Sequence, residues 1–82
     1  MEKVVYLSSF QSGQKAIIKR VDEINQKMNR RLIELGFVKN QKIEILKNFN
    51  KAKNMLVCVR GCVLSIDYFV ADKVVVYGGG NK

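Results

Sequence analysis

Two thiols stand close together in this chain, Cys58 and Cys62, in a Cys-x3-Cys spacing. Such a pair could contribute thiolates to iron or zinc, but a structural zinc site wants four ligands and these supply two. Histidine is absent, which removes the commonest general base and the commonest metal ligand. The hydroxyls of Ser8, Ser9, Ser12 and Ser65 have no neighbouring base implied by the sequence. The seven carboxylates are scattered and form no recognisable pair. Gly78 to Gly80 precede no helix, so no glycine-rich loop is placed to hold a phosphate. No catalytic residue, cofactor site or metal site is assigned, and an enzyme is not expected.

The elements that must carry the cysteines sharpen that reading. Met55 to Arg60 and Cys62 to Asp67 read as two strands turning at Arg60-Gly61, a tight hairpin. Val59 then sits across from Cys62, and Cys58 across from Val63. Cross-strand neighbours share a face and successive residues alternate, so the two sulfurs point to opposite faces. Free cysteines are commonly buried. Cys62, in line with Leu64 and Ile66, is expected as a core thiol, and Cys58 as the more exposed one.

The clearest helical period lies in NQKMNRRLIELGFVKN, Asn25 to Asn40. Met28, Leu32 and Leu35 recur at i, i+4 and i+7 and share one face, which Ile33 widens. Lys27, Arg30, Arg31 and Glu34 point elsewhere. Asn25 is a candidate N-cap. Gly36 follows the last turn, where helices commonly end in a left-handed residue that glycine adopts without steric cost. Phe37 can then fold back onto Leu32. These spacings predict Met28, Leu32, Leu35 and Phe37 in the core.

Short strand-like runs flank the helix. Val4 to Phe10 reads as an extended or 3₁₀ entry segment whose Leu7 and Phe10 cover one end of a barrel. Gln14 to Val21 is a first strand with Ala16 and Ile18 on one face. Gln41 to Lys47 is a second, with Ile43 and Ile45 inward. Asn48 to Asn54 is a basic, asparagine-rich loop. The hairpin follows, then one helical turn from Tyr68 to Asp72 and a final strand from Lys73 to Tyr77. Five short strands and one short helix in so few residues predict a mainly β fold, a small, strongly bent antiparallel barrel. The helix between the first two strands favours an SH3-like barrel over the OB type.

Eighty-two residues leave room for one core. A hydrophobic share of 48% argues against disorder. The apolar run at Val4 to Leu7 is too short for a signal peptide and no run reaches the roughly 20 residues of a transmembrane helix, so a cytoplasmic protein is expected. Fifteen Lys and Arg against seven Asp and Glu give a net charge of +8, which favours an acidic partner.

The pattern as a whole resembles the FeoA family, small cytoplasmic SH3-like proteins that accompany a bacterial ferrous-iron transporter. The same module recurs as the C-terminal domain of iron-dependent repressors. The resemblance rests on Leu7 and Phe10 before Gly13, on Ala16 and Ile18, and on RRLIELGF from Arg30 to Phe37. Ile43 and Ile45, LVCVRG from Leu56 to Gly61, and Leu64, Ile66, Ala71 and Val74 continue it. It departs from the family at Lys39-Asn40, where Pro-Gly is usual, at Asp67, where a basic residue is common, and at Val70, where an acid is common. Asn40 tolerates the left-handed conformation that a turn glycine supplies.

The resemblance implies residues 1–77 as one FeoA-like domain, with 78–82 a flexible C-terminal tail. It implies a non-enzymatic accessory protein that binds the cytoplasmic domain of a membrane ferrous iron transporter, FeoB-like, and supports or regulates Fe(II) uptake. That partner would recruit the protein to the inner face of the membrane. No cofactor and no small-molecule substrate are implied. SH3-like barrels take peptides and protein loops in grooves between their loops, and the contact sites expected here are Lys27, Arg30, Arg31, Glu34, Lys39 and Asn40. The alternative is a small basic nucleic-acid-binding barrel using the basic clusters, Lys27, Arg30 and Arg31 on the helix with Lys47, Lys51 and Lys53 in the loop. That reading needs interleaved aromatics, of which only Phe49 is nearby in sequence. An open barrel edge could also pair with a partner strand.

Overall fold

Alternating apolar residues become strands throughout the chain, and the computed structural model describes residues 4–77. The frayed tail expected at 78–82 lies outside the described residues. Strand β1 (Val5–Tyr6) runs into a 3₁₀ turn at Leu7–Ser9. β2 (Lys15–Val21), helix α1 (Gln26–Leu35), β3 (Lys42–Phe49), β4 (Asn54–Val59) and β5 (Cys62–Asp67) follow. A one-turn helix α2 (Tyr68–Ala71) and β6 (Val74–Tyr77) complete the order. The strands form one antiparallel sheet in the order β1-β6-β2-β3-β4-β5.

The five expected strands and the helical turn are all present. The sixth strand, β1, is the extended entry segment, whose Val5 and Tyr6 pair with Val76 and Val75. Two residues carry no readable period, so only pairing reveals them as a strand. Register shifts between Ile18 and Arg20 and between Ile45 and Lys47 bend β2 and β3, because a bulge adds a residue to one side of the ladder. Bent in this way, the sheet brings Leu7, Ile18, Ile43, Ile45, Val57 and Val74 into one fully buried cluster. No helix among the described residues is long and apolar enough to cross a membrane.

Helix α1 is held at both ends by the residues the sequence marks. The Asn25 side chain accepts from the Met28 amide at 2.8 Å, and Asn29 Oδ1 accepts from the Ile24 and Asn25 amides at 2.8 and 3.0 Å. Gly36 adopts φ +108°, and the Phe37 amide donates back to the Leu32 carbonyl at 2.9 Å. That turn drives the Phe37 ring into the core, where it is 1% exposed beside Leu32.

The apolar face of α1 is narrower than its period predicts. Leu32 alone is buried in the helix, while Ile33 is 58% exposed and Leu35 36% exposed. The helix has ten residues, and Met28, Arg31, Leu32 and Leu35 line a groove with residues 64–67 of β5. A single stripe therefore touches the core, and Met28 packs against it only partly.

The cysteine assignment is reversed. The hairpin pairs Val59 with Cys62 and Cys58 with Val63, as the turn at Arg60-Gly61 requires, and both turn residues have positive φ. Yet Cys62 is exposed and Cys58 half-buried. Cys62 opens β5, which among the described residues has no strand on its outer side, whereas its partner Val59 lies beneath Gly36 at the end of α1. Cys58 faces outward but is flanked by Glu44 and Val63 on the neighbouring strands.

Asn48 ties distant segments together. Its Nδ2 donates to the Phe10 carbonyl at 2.6 Å, and its backbone amide donates to Ser12 Oγ at 2.9 Å. The Tyr68 hydroxyl lies in hydrogen-bond range of Asn48 Oδ1 and Asn50 Oδ1, donating to one at a time. Ser8 Oγ donates to Asp72 Oδ1 nearby. Asn48→Ala is expected to lower stability by about 1–2 kcal/mol, roughly 5–15 °C in Tm, read by circular dichroism melting.

Candidate functional site

Among the described residues the sheet ends at β5, and no further strand lies beside its inward residues Leu64 and Ile66. They face α1 instead, and a groove of about 400 Å³ runs between the two. Met28, Arg31, Leu32 and Leu35 form its helical wall, Leu64 to Asp67 its sheet wall, and Val70 of α2 closes it. Met28, Arg31 and Leu35 stand at i, i+3 and i+7, which puts them on the helix stripe turned toward β5. The lining is aliphatic apart from Arg31, Ser65 and Asp67. Asp67 is already engaged: its Oδ1 accepts from the Val70 amide at 3.1 Å and caps α2. Arg31 is thus the charged side chain left to meet a ligand in this groove.

The six expected contact residues do not share one face. Arg31 belongs to the groove. Arg30 lies on the opposite flank of α1, in a concavity it shares with Glu23, Gln26, Asn29 and Ile33. Lys39 lines a third hollow with Val21, Phe37 and Val38. Asn40 has φ +72° and its amide donates to the Ile18 carbonyl at 2.7 Å, so it holds the turn against β2. Lys27 and Glu34 are exposed on α1.

The helical and strand periods put Met28 and Leu35 in the core and align Leu64 and Ile66 with it, so they do not reveal the groove. The missing signal was that β5 ends the sheet, which a strand's own period does not encode. The fold also places more aromatic surface beside the basic loop than Phe49 alone. The Tyr68 amide donates to the Lys53 carbonyl at 2.8 Å, Lys53 Nζ stands 5.7 Å from the Tyr68 ring centre, and the adjacent Phe69 is 61% exposed. Among the described residues, no group of three or more His, Cys, Asp or Glu is arranged to hold a metal ion.

A strongly bent antiparallel sheet with one short helix between its second and third strands, and a groove between that helix and β5, defines a small SH3-like module. The chain belongs to the FeoA domain family, whose model matches residues 5–77. The family is linked to ferrous iron transport. Stenotrophomonas maltophilia FeoA, solved in complex with zinc and described as a prokaryotic SH3 domain protein, is similar at 26% identity. The match covers 93% of each chain with a TM-score of 0.81. FeoA from Chlorobium tepidum is similar at 24% identity over 95% of this chain and 74% of that one, with a TM-score of 0.81. A manganese-dependent transcriptional repressor shares the fold at 14% identity and a TM-score of 0.83. The match covers 94% of this chain but spans 42% of the repressor's length. No curated protein matches the chain.

Proposed function

We propose that this protein is a non-enzymatic accessory protein of a bacterial ferrous iron transporter. It binds the transporter's FeoB-like cytoplasmic domain, at the inner face of the membrane, and supports or regulates Fe(II) uptake. The observation that carries this reading is the aliphatic groove between α1 and β5, with Arg31 at its wall. Exposed aliphatic surface in a concavity is what a protein segment can desolvate, and a chain of net charge +8 favours an acidic one. Membership of a family linked to ferrous iron transport supports the choice of partner.

Titration calorimetry of the full chain against the purified cytoplasmic domain of the transporter tests it. Arg31→Glu is expected to weaken binding about tenfold, equal to about 1.4 kcal/mol, with an unchanged melting temperature because Arg31 is exposed. Arg30→Glu, on the opposite flank, is expected to change affinity less than about twofold. Equal losses from both would move the contact to the outer face of the helix. No binding by the wild type would overturn the reading.

A further inference from the structure

The two ends of the sheet are treated very differently. At one, β1 is two residues long. At the other, β5 is six residues long and runs in unbroken register along β4 from Asn54↔Asp67 to Val59↔Cys62. Natural edge strands are usually kept from pairing by brevity, by lysine or proline, or by a bulge. β5, with the sequence CVLSID, has none of these, and Val63 on its outer face is 59% exposed. A free edge of this kind presents unpaired backbone amides and carbonyls in the one geometry that another strand satisfies. The groove lies directly beside it, under the same inward side chains, Leu64 and Ile66.

Resting on the docking reading above, we propose that the groove takes an extended segment of the transporter's cytoplasmic domain as an additional strand on β5. An added strand sits about 4.8 Å from β5, and its alternate side chains turn to the same face as Leu64 and Ile66. The segment that fits therefore has aliphatic residues at i and i+2, facing Met28 and Leu35, and an Asp or Glu on that face for Arg31. Its other face is free to be polar. Proline-rich ligands of SH3 domains use aromatic-lined grooves, and the lining here is aliphatic. Proline would also remove the main-chain donors that an edge strand asks for. A second copy of this chain is disfavoured as the occupant because it carries the same charge of +8.

The test uses the full ¹⁵N-labelled chain and synthetic ten-residue peptides tiling the transporter's cytoplasmic domain. With a binding peptide at saturation, amide exchange at every second residue of β5 is expected to slow at least tenfold. The interleaved amides, already paired with β4, should change little. N-methylation of the peptide at the positions facing β5 is expected to weaken binding at least tenfold, and methylation at the interleaved positions much less. Binding of the domain or a peptide that Arg31→Glu weakens, with unchanged β5 exchange, would overturn strand addition and leave groove docking standing. Absence of binding by the domain and by every peptide would remove both. Slowing of alternate β5 amides with protein concentration alone would assign the edge to a second copy and overturn the partner strand.

Discussion

Phe37→Ala is expected to cost about 3–5 kcal/mol of stability, the usual range for emptying a buried phenylalanine site. A domain of this size holds about 4–12 kcal/mol in total, so the variant stands near the folding threshold. Phe37 is 1% exposed and belongs to the core cluster immediately after the Gly36 cap of α1. Its loss opens a cavity and frees the helix together. Urea titration followed by far-ultraviolet circular dichroism reads the change as a midpoint lowered by about 3 M or more, for an m-value near 1 kcal/mol/M. Leu35→Ala, two residues earlier, provides the contrast. Leu35 is 36% exposed, and its truncation is expected to cost less than about 1 kcal/mol while weakening partner binding. A midpoint shift for Phe37→Ala no larger than that of Leu35→Ala would show that the ring is not the anchor.

Gly36→Ala carries the second large effect, about 2–3 kcal/mol, and for two separable reasons. At φ +108° a residue with a side chain is strained, by about 1–3 kcal/mol for sparsely populated backbone conformations. The added Cβ would also stand 2.5 Å from Arg60 Cδ and 3.0 Å from Val59 Cγ1. The arginine can swing away into solvent, but Val59 is fully buried and cannot. Gly13 supplies the control, with φ +90° and nothing within 4 Å of its would-be Cβ. Gly13→Ala should show the strain alone, and the difference between the two variants measures the close approach of helix end to hairpin. Equal losses in thermal melts would mean that Val59 yields without cost.

Local chemistry explains which features could be read in advance. The Asn25 cap, the Gly36-Phe37 helix end, the Arg60-Gly61 turn and the left-handed Asn40 each depend on a residue type at one position, and each is where the sequence puts it. The inward faces of β2 and β3 follow from alternation at Ala16, Ile18, Ile43 and Ile45. Features set by sheet order were not legible. Cys62 shares a face with Ile66 but lies at the open edge, so its sulfur is exposed. Leu35 and Ile33 look like core on a helical wheel, yet α1 is too short to bury more than Leu32. Arg30 and Arg31 are adjacent in sequence but face opposite flanks of the helix, so only Arg31 enters the groove. The groove itself needs the knowledge that β5 is last in the sheet, and nothing within the sequence of β5 says so.

The place of β6 bears on the order in which the molecule is built. The last strand of the described residues is not an edge but lies between β1 and β2, pairing Val5 with Val76 and Ile18 with Val76. The meander from β2 to β5 contains near-neighbour pairings that can close early, because short loops lose little entropy on closure. Insertion of β6 between β1 and β2 closes the span from Val5 to Val76 and requires residues 74–77 to be in place. Until then β2 has a bare second edge, and Ile18 lacks the cover of Val74 to Val76. Completion of the native core is therefore governed by pairings of long sequence separation, the contacts that slow folding.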